Sequence, residues 1–240
     1  HNPMPDNGIK FFAHGGYKLA DSVEDQIEAL VNTEWDRPTG DAVGEINADH
    51  AWAKDSYIAH LVEAIGPDLR GMKIAIDCAN GAASELGPAV FRELGADITV
   101  LHASPDGRNI NLNAGSTHPE ARQAAVVASG GDFGVAYDGD ADRCLAVDHE
   151  GTLIDGDKIM GALAVNARER GALAQATPVV TVMSNLGLLL AMPEVGITPA
   201  QPGVPDRHLL AAMPPSRYPH RRRPPAPHTA PPHLPVPIMP

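Results

Sequence analysis

Apolar and polar positions follow two rhythms along this chain, and the changes between them mark out most of its elements. Val23, Ile27, Leu30 and Val31 recur at helical spacing after Asp21, which with Glu24 forms a capping-box pattern, so an amphipathic helix is predicted there. Ahead of it, HNPMPDNGIKFF reads as a turn-rich loop running into a short strand, with Pro3, Pro5, Asn7 and Gly8 supplying the turn chemistry. Residues 33 to 49 are polar and carry Pro38 and Gly40; they predict a linker, with a domain boundary near Thr39. Beyond it the signals alternate: a helix over about 51–65, a strand at 72–78, a helix over 83–94, a strand over 97–101 and a helix from about Pro119. Such alternation predicts an α/β fold built on a parallel sheet.

The stretch FGVAYDGDADRCLAV, residues 133 to 147, reads as strand, acidic loop, strand. A turn and a helix over about 157–170 follow, with Asp155 and Asp157 placed to start that helix rather than to bind metal. VVTVMS then predicts a strand, and another helix begins near Leu186. From residue 199 the pattern stops. Fourteen of the 23 prolines fall in residues 199–240, with one acidic residue, five arginines and four histidines. Proline fixes φ and removes a donor, so this tail cannot build helix or sheet; a disordered or out-of-frame segment is expected.

Composition narrows the partners. The chain has 240 residues, room for one large domain or two small ones, and a formal net charge of -12. That balance argues against nucleic acid or an anionic membrane as the main partner, since both select for basic surface. Small anionic substrates remain open to it through local basic residues and metal. Cys78 and Cys144 show no spacing that suggests zinc or a redox pair, and read as buried, apolar-like residues. With no long apolar run and no signal-peptide pattern, a soluble cytoplasmic protein is expected.

The chemistry concentrates in the acidic loop. In extended backbone alternate side chains share a face, so Asp138, Asp140 and Asp142 converge once the loop curls, and Gly139 and Ala141 are small enough to permit the curl. At about 5 Å and an effective dielectric near 20, each carboxylate pair repels by roughly 3 kcal/mol. A bound cation removes that cost; three hard oxygen donors suit Mg2+, and Arg143 beside them suits a phosphate. An EF-hand starting at Asp138 would need glycine sixth and glutamate twelfth, where this chain has Arg143 and His149, so that reading fails. A phosphohydrolase with Asp138 as nucleophile and Asp140 as acid stays open, as does a solvated acidic turn. Two other stretches are candidates for a site. CANGAAS, residues 78–84, offers either backbone amides to an anion or simply a tight strand-to-helix turn, and the polar loop from Pro105 to Glu120 has the length of a site or interface.

Four segments in order, HNPMPDNGIKFF, NINLNAGSTHPE, DGDADR and VVTVMSNLGL, resemble the bacterial phosphoglucosamine mutases, a branch of the α-D-phosphohexomutase superfamily. The resemblance runs from His1 to about Met213. It implies repeated α/β domains with mixed, largely parallel sheets, followed by the Pro-rich tail. Residues 1–38 would end a first domain, 39–149 form a second with the metal loop, 150–213 begin a third, and 214–240 make up the tail. The implied reaction interconverts glucosamine 6-phosphate and glucosamine 1-phosphate through a phosphoserine and a bisphosphate intermediate, in the supply of UDP-N-acetylglucosamine. By the same resemblance Asp138, Asp140 and Asp142 would hold Mg2+, Arg143 would lie near the phosphate, Lys10 would assist proton transfer or charge stabilisation, and His1 would follow the nucleophilic serine.

The chain also departs from the family pattern. The serine would be the residue before His1, the third-domain sugar loop and the fourth domain have no counterpart, and VPDRHLLAAM at 204–213 is a degraded version of a family segment. A fragment is therefore expected, inactive as a mutase by itself. Two alternatives stand beside it: a phosphomannomutase or phosphoglucomutase, or a non-catalytic Mg2+-binding module with a partner-binding proline-rich tail.

Overall fold

A computed structural model describes residues 2–6, 8–9, 11–14, 19–45, 51–66, 68–171, 178, 180 and 184–199. His1 and Lys10, most of the strand predicted at VVTVMS, and the tail therefore lie outside the described residues.

The first helix, α1, is Asp21–Val31, and α2 is Ala51–Ile65. The helix at α1 forms where the periodicity predicts, but its start needs correcting: the N-cap is Ala20, whose side chain makes no capping hydrogen bond, rather than Asp21. Asp21 and Glu24 both lie inside the first turn, where their charges favour the amide end of the helix. Between the two helices the described part of the expected linker, residues 33–45, is irregular apart from one 3-10 turn at Gly40–Ala42.

From residue 73 the chain builds one sheet. Strands β1 (Lys73–Asp77), β2 (Asp97–Leu101), β3 (Phe133–Tyr137), β4 (Cys144–Asp148) and β5 (Leu153–Ile154) lie in the order β2-β1-β3-β4-β5. β1 pairs in parallel with β2 and with β3; β3 and β4, then β4 and β5, pair antiparallel. The sheet is thus mixed, its parallel half made by helical crossovers and its antiparallel half by short turns. β5 joins it from beyond the domain boundary expected at 149–150.

β1 is the central strand, and its KIAID sequence is buried from Ile74 onward, the mark of a strand covered on both faces. Ile74 and Ile76 point to the side of α3 (Ala83–Glu93) and form a cluster there with Cys78, Ala83 and Ala96, flanked by Phe91, Ile98 and Val100. Ala75 points the other way and packs with Val126 of α4 (Glu120–Ser129) and with Val147. Gly134 makes room for α4, because a Cβ there would come within 2.7 Å of Val126 Cγ2 and 3.0 Å of Arg122 Cγ.

After the sheet come α5 (Gly156–Glu169) and α6 (Leu186–Glu194). Asp155 caps α5 by accepting from the Lys158 amide at 2.9 Å, and Asp157 accepts from the Asn185 amide at 3.1 Å. Both aspartates thus act at helix starts, as the sequence predicts. A small cluster of Ala164, Met192 and Ile197 joins the two helices. No helix among the described residues is long and apolar enough to cross a membrane.

Candidate functional site

The order of the strands fixes where a site belongs. The chain leaves β1 towards β2 on one side, and β3 lies on the other, so the carboxyl ends of β1 and β3 flank a crevice. Two turns meet there, residues 78–84 after β1 and residues 138–143 after β3.

The aspartate loop closes the β3–β4 hairpin beyond the pair Tyr137 and Cys144. Ala141 donates to the Asp138 carbonyl at 3.0 Å and takes φ of 57°, the left-handed turn that reverses the chain. Ala141 therefore makes the curl; Gly139 serves a different need. A Cβ on Gly81 of the other turn would lie 2.1 Å from the Gly139 carbonyl oxygen and 2.7 Å from its Cα, and the Ala82 amide donates to that same carbonyl at 2.8 Å. Gly81 thus lets the backbones of the two turns touch, while a Cβ on Gly139 would meet Asn111 Nδ2 at 2.5 Å and Ile110 Cγ1 and Cδ1 at 2.8 Å. For residues 78–84 the structure thus supports the close-packed turn.

The loop gathers its acids. One carboxylate oxygen from each of Asp138, Asp140 and Asp142 lies within 4.8 Å of the others. Asp138 is fully buried, whereas the other two are exposed, so water screens part of the repulsion between them. Arg143 offsets more of it: its Nε donates to Asp138 Oδ2 at 3.0 Å and stands 3.4 Å from Asp142 Oδ1, while its amide donates to Asp138 Oδ1 at 3.1 Å. Arg143 engages both oxygens of Asp138 and so fixes the orientation of this carboxylate. The donor set, carboxylate oxygens with a net negative balance, fits a hard divalent cation. Among the described residues no other group of three or more His, Cys, Asp or Glu side chains lies close enough to share an ion.

Behind this crevice lies a polar layer that the hydrophobic pattern does not reveal. Asp77, fully buried at the end of β1, accepts from the Ala79 amide at 2.9 Å and lies 3.0 Å from His102 Nδ1. These bonds brace a strained turn, since Ala79 and Asn80 have φ of 52° and 48°. Asn80 extends the brace to the 105–120 loop, accepting from Ser104 and donating to the Asn109 carbonyl. An acid ending an apolar strand is the signal that could have found Asp77. Arg122 gives no such signal; it is fully buried, and its three guanidinium nitrogens have no hydrogen-bond partner among the described residues. Burial lowers its pKa, against the attraction of Asp77.

Of the residues singled out from sequence, Asp138, Asp140, Asp142 and Arg143 come together, while His1 and Lys10 lie outside the described residues. Comparison with known proteins adds the family. Residues 55–151 match the model for the phosphoglucomutase/phosphomannomutase α/β/α domain II, and residues 1–37 match the model for domain I. The chain belongs to the phosphoglucomutase/phosphomannomutase family. It is 57% identical over 218 residues to a phosphoglucosamine mutase of Bifidobacterium animalis subsp. lactis, and 53% identical over 218 residues to one of Streptomyces coelicolor. Each alignment covers 89% of this chain and 48% of the relative, so the chain spans about half the length of these curated relatives. The fold is shared with a phosphoglucomutase/phosphomannomutase family protein of Burkholderia thailandensis, at a TM-score of 0.61 and 23% identity, over 82% of this chain and 42% of that one. It is shared too with an apo N-acetylglucosamine-phosphate mutase, at a TM-score of 0.54 and 18% identity, over 66% and 39%.

Proposed function

We propose that this chain supplies the metal-binding part of a phosphoglucosamine mutase, interconverting glucosamine 6-phosphate and glucosamine 1-phosphate in the cytoplasm. The observation that carries the reading is the convergence of Asp138, Asp140 and Asp142 within 4.8 Å at the crevice between β1 and β3, in a chain whose curated relatives at 53–58% identity are phosphoglucosamine mutases. In this reading the three carboxylates hold Mg2+, which when bound supplies positive charge to a transferring phosphoryl group. Asp138, buried and bonded twice by Arg143, is the rigid member of the set; Asp140 and Asp142 present their carboxylates on the exposed side of the loop. Arg143 keeps the loop closed and carries a guanidinium beside the carboxylates that suits a phosphate oxygen. By family resemblance His1 follows the nucleophilic serine, and Lys10 stabilises charge or moves a proton beside it. The division into residues 1–38, 39–149, 150–213 and 214–240 belongs to the same reading.

The test is direct. Isothermal titration of the chain with Mg2+ should show one site, and Asp140→Asn should weaken it by about tenfold or more while leaving the circular dichroism unchanged. Equal binding by the variant, or none by the parent, overturns the metal assignment. An aspartyl phosphohydrolase would instead trap an acyl phosphate on Asp138 from a phosphate ester, a result that would replace this reading.

A further inference from the structure

The 105–120 loop sends one side chain into the crevice, and it touches three parts of the molecule at once. Asn111 Nδ2 donates to the backbone carbonyl of Asn2 at 2.9 Å, across 109 positions of chain. The same amide nitrogen lies against the aspartate loop, since a Cβ on Gly139 would sit 2.5 Å from it. Its own backbone is held by the second turn, with the Asn111 amide donating to the Ala79 carbonyl at 2.9 Å. Asn111 has φ of 58°, a left-handed conformation that asparagine tolerates better than most residues. Its Oδ1 is buried and has no hydrogen-bond partner among the described residues, so the side chain gains its contact through the donor end alone.

We propose that Asn111 is a positioning residue, a latch that holds the segment at residues 2–6 against the aspartate loop. The chemistry needs an amide. A carboxylate of the same shape has no N–H and would set an oxygen against the Asn2 carbonyl; glycine keeps the left-handed backbone and removes the reach. The Asn111 amide, with the Ile110 side chain beside it, occupies the space that a side chain on Gly139 would need. The functional meaning rests on the mutase reading above, in which residues 1–10 and 138–143 belong to one site.

Hydrogen exchange of the whole chain, with and without Mg2+, tests it in Asn111→Gly and Asn111→Asp. Without metal, both variants should speed exchange at the Asp6 amide, which donates to the Pro3 carbonyl at 3.0 Å within the latched segment, by about fivefold, the size of one net hydrogen bond. Amides of β1, β3 and β4 should keep their protection. With Mg2+, the parent should gain protection at both segments, and the variants at 138–143 alone. Unchanged exchange at Asp6, or an equal loss of protection across the sheet, overturns the latch. If Mg2+ protects nothing in the parent, the mutase reading fails, and the metal-free comparison still decides the latch.

Discussion

Two regions of this molecule carry equally clear apolar patterns and use them differently. In the sheet region the pattern closes on itself: Ile74, Ile76, Val126 and Val147 are at most 1% exposed, each meeting a helix or strand from another part of the chain. In α1 the same kind of stripe leaves Val23, Leu30 and Val31 at 39%, 63% and 73% exposure, and no residue of that helix is buried. Periodicity decides which face of an element is apolar; only a facing partner turns that face into stability, at about 25 cal/mol per Å² removed from water. The sheet region should therefore respond sharply to changes of shape, and the segment before residue 46 hardly at all.

The largest effect expected is at the contact between the two turns. Gly81→Val puts a Cβ within 2.1 Å of the Gly139 carbonyl, against backbone that cannot turn aside. A loss of about 3 kcal/mol or more follows from such overpacking, read from urea unfolding by circular dichroism. Gly44→Val, in the linker, meets nothing within 4 Å and should change stability by less than about 0.5 kcal/mol. Similar losses at both positions would break the contrast.

Within the well-packed region one residue runs against its surroundings. Arg122 is buried among apolar neighbours with no hydrogen-bond partner among the described residues, and Asp77 contributes only a longer-range attraction. Arg122→Leu keeps the stem that packs on Gly134 and Val126 and removes the unpaired charge. A gain of about 2 kcal/mol is expected, seen as a thermal midpoint raised by several degrees. A loss on this substitution would mean that the guanidinium is paired in solution, by Asp77 or by water.

The same contrast explains how much was legible beforehand. Helices α1 to α5 and strands β1 to β4 appear where the pattern predicts them; α3, α4 and the strands also meet a packed layer, whereas α1 and α2 bury no residue. The three aspartates were legible because their alternate spacing and the strand before them both follow from local chain geometry. Three features were not. The need for glycine at Gly81 depends on a turn 58 positions later in the chain, at Gly139, and the sequence around either glycine says nothing of the other. Asn111 is one of several asparagines in a polar loop, and its bond to Asn2 exists only once the two segments meet. Arg122 sits among polar neighbours at the start of α4, where the pattern points outward, yet the side chain goes in. The capping box at Asp21 failed for the opposite reason: a local signal was present, but the backbone begins the helix one residue earlier than that box requires.

The smallest effect is silent at neutral pH and sharpens the contrast in another way, because both cysteines lie in the sheet region. Cys78 is fully buried at the end of β1, and burial, helped by the neighbouring Asp77, pushes its thiol up to about 12 from an ordinary 9.0. Cys144 is raised as well, first by burial and then by Asp138. The folded state thus keeps the Cys78 proton that the unfolded state releases near pH 9. Below that pH both states are protonated and the preference is fully present; between about 9 and 12 stability falls as pH rises, because only the unfolded chain gives up its proton. Iodoacetamide at pH 8 should therefore leave Cys78 unlabelled in the folded chain and label it at a rate set by opening of the sheet. Gly81→Val should accelerate that labelling and Gly44→Val should not. Rapid labelling of Cys78 in the parent would show that the end of β1 opens independently of the packed layers on either side of it.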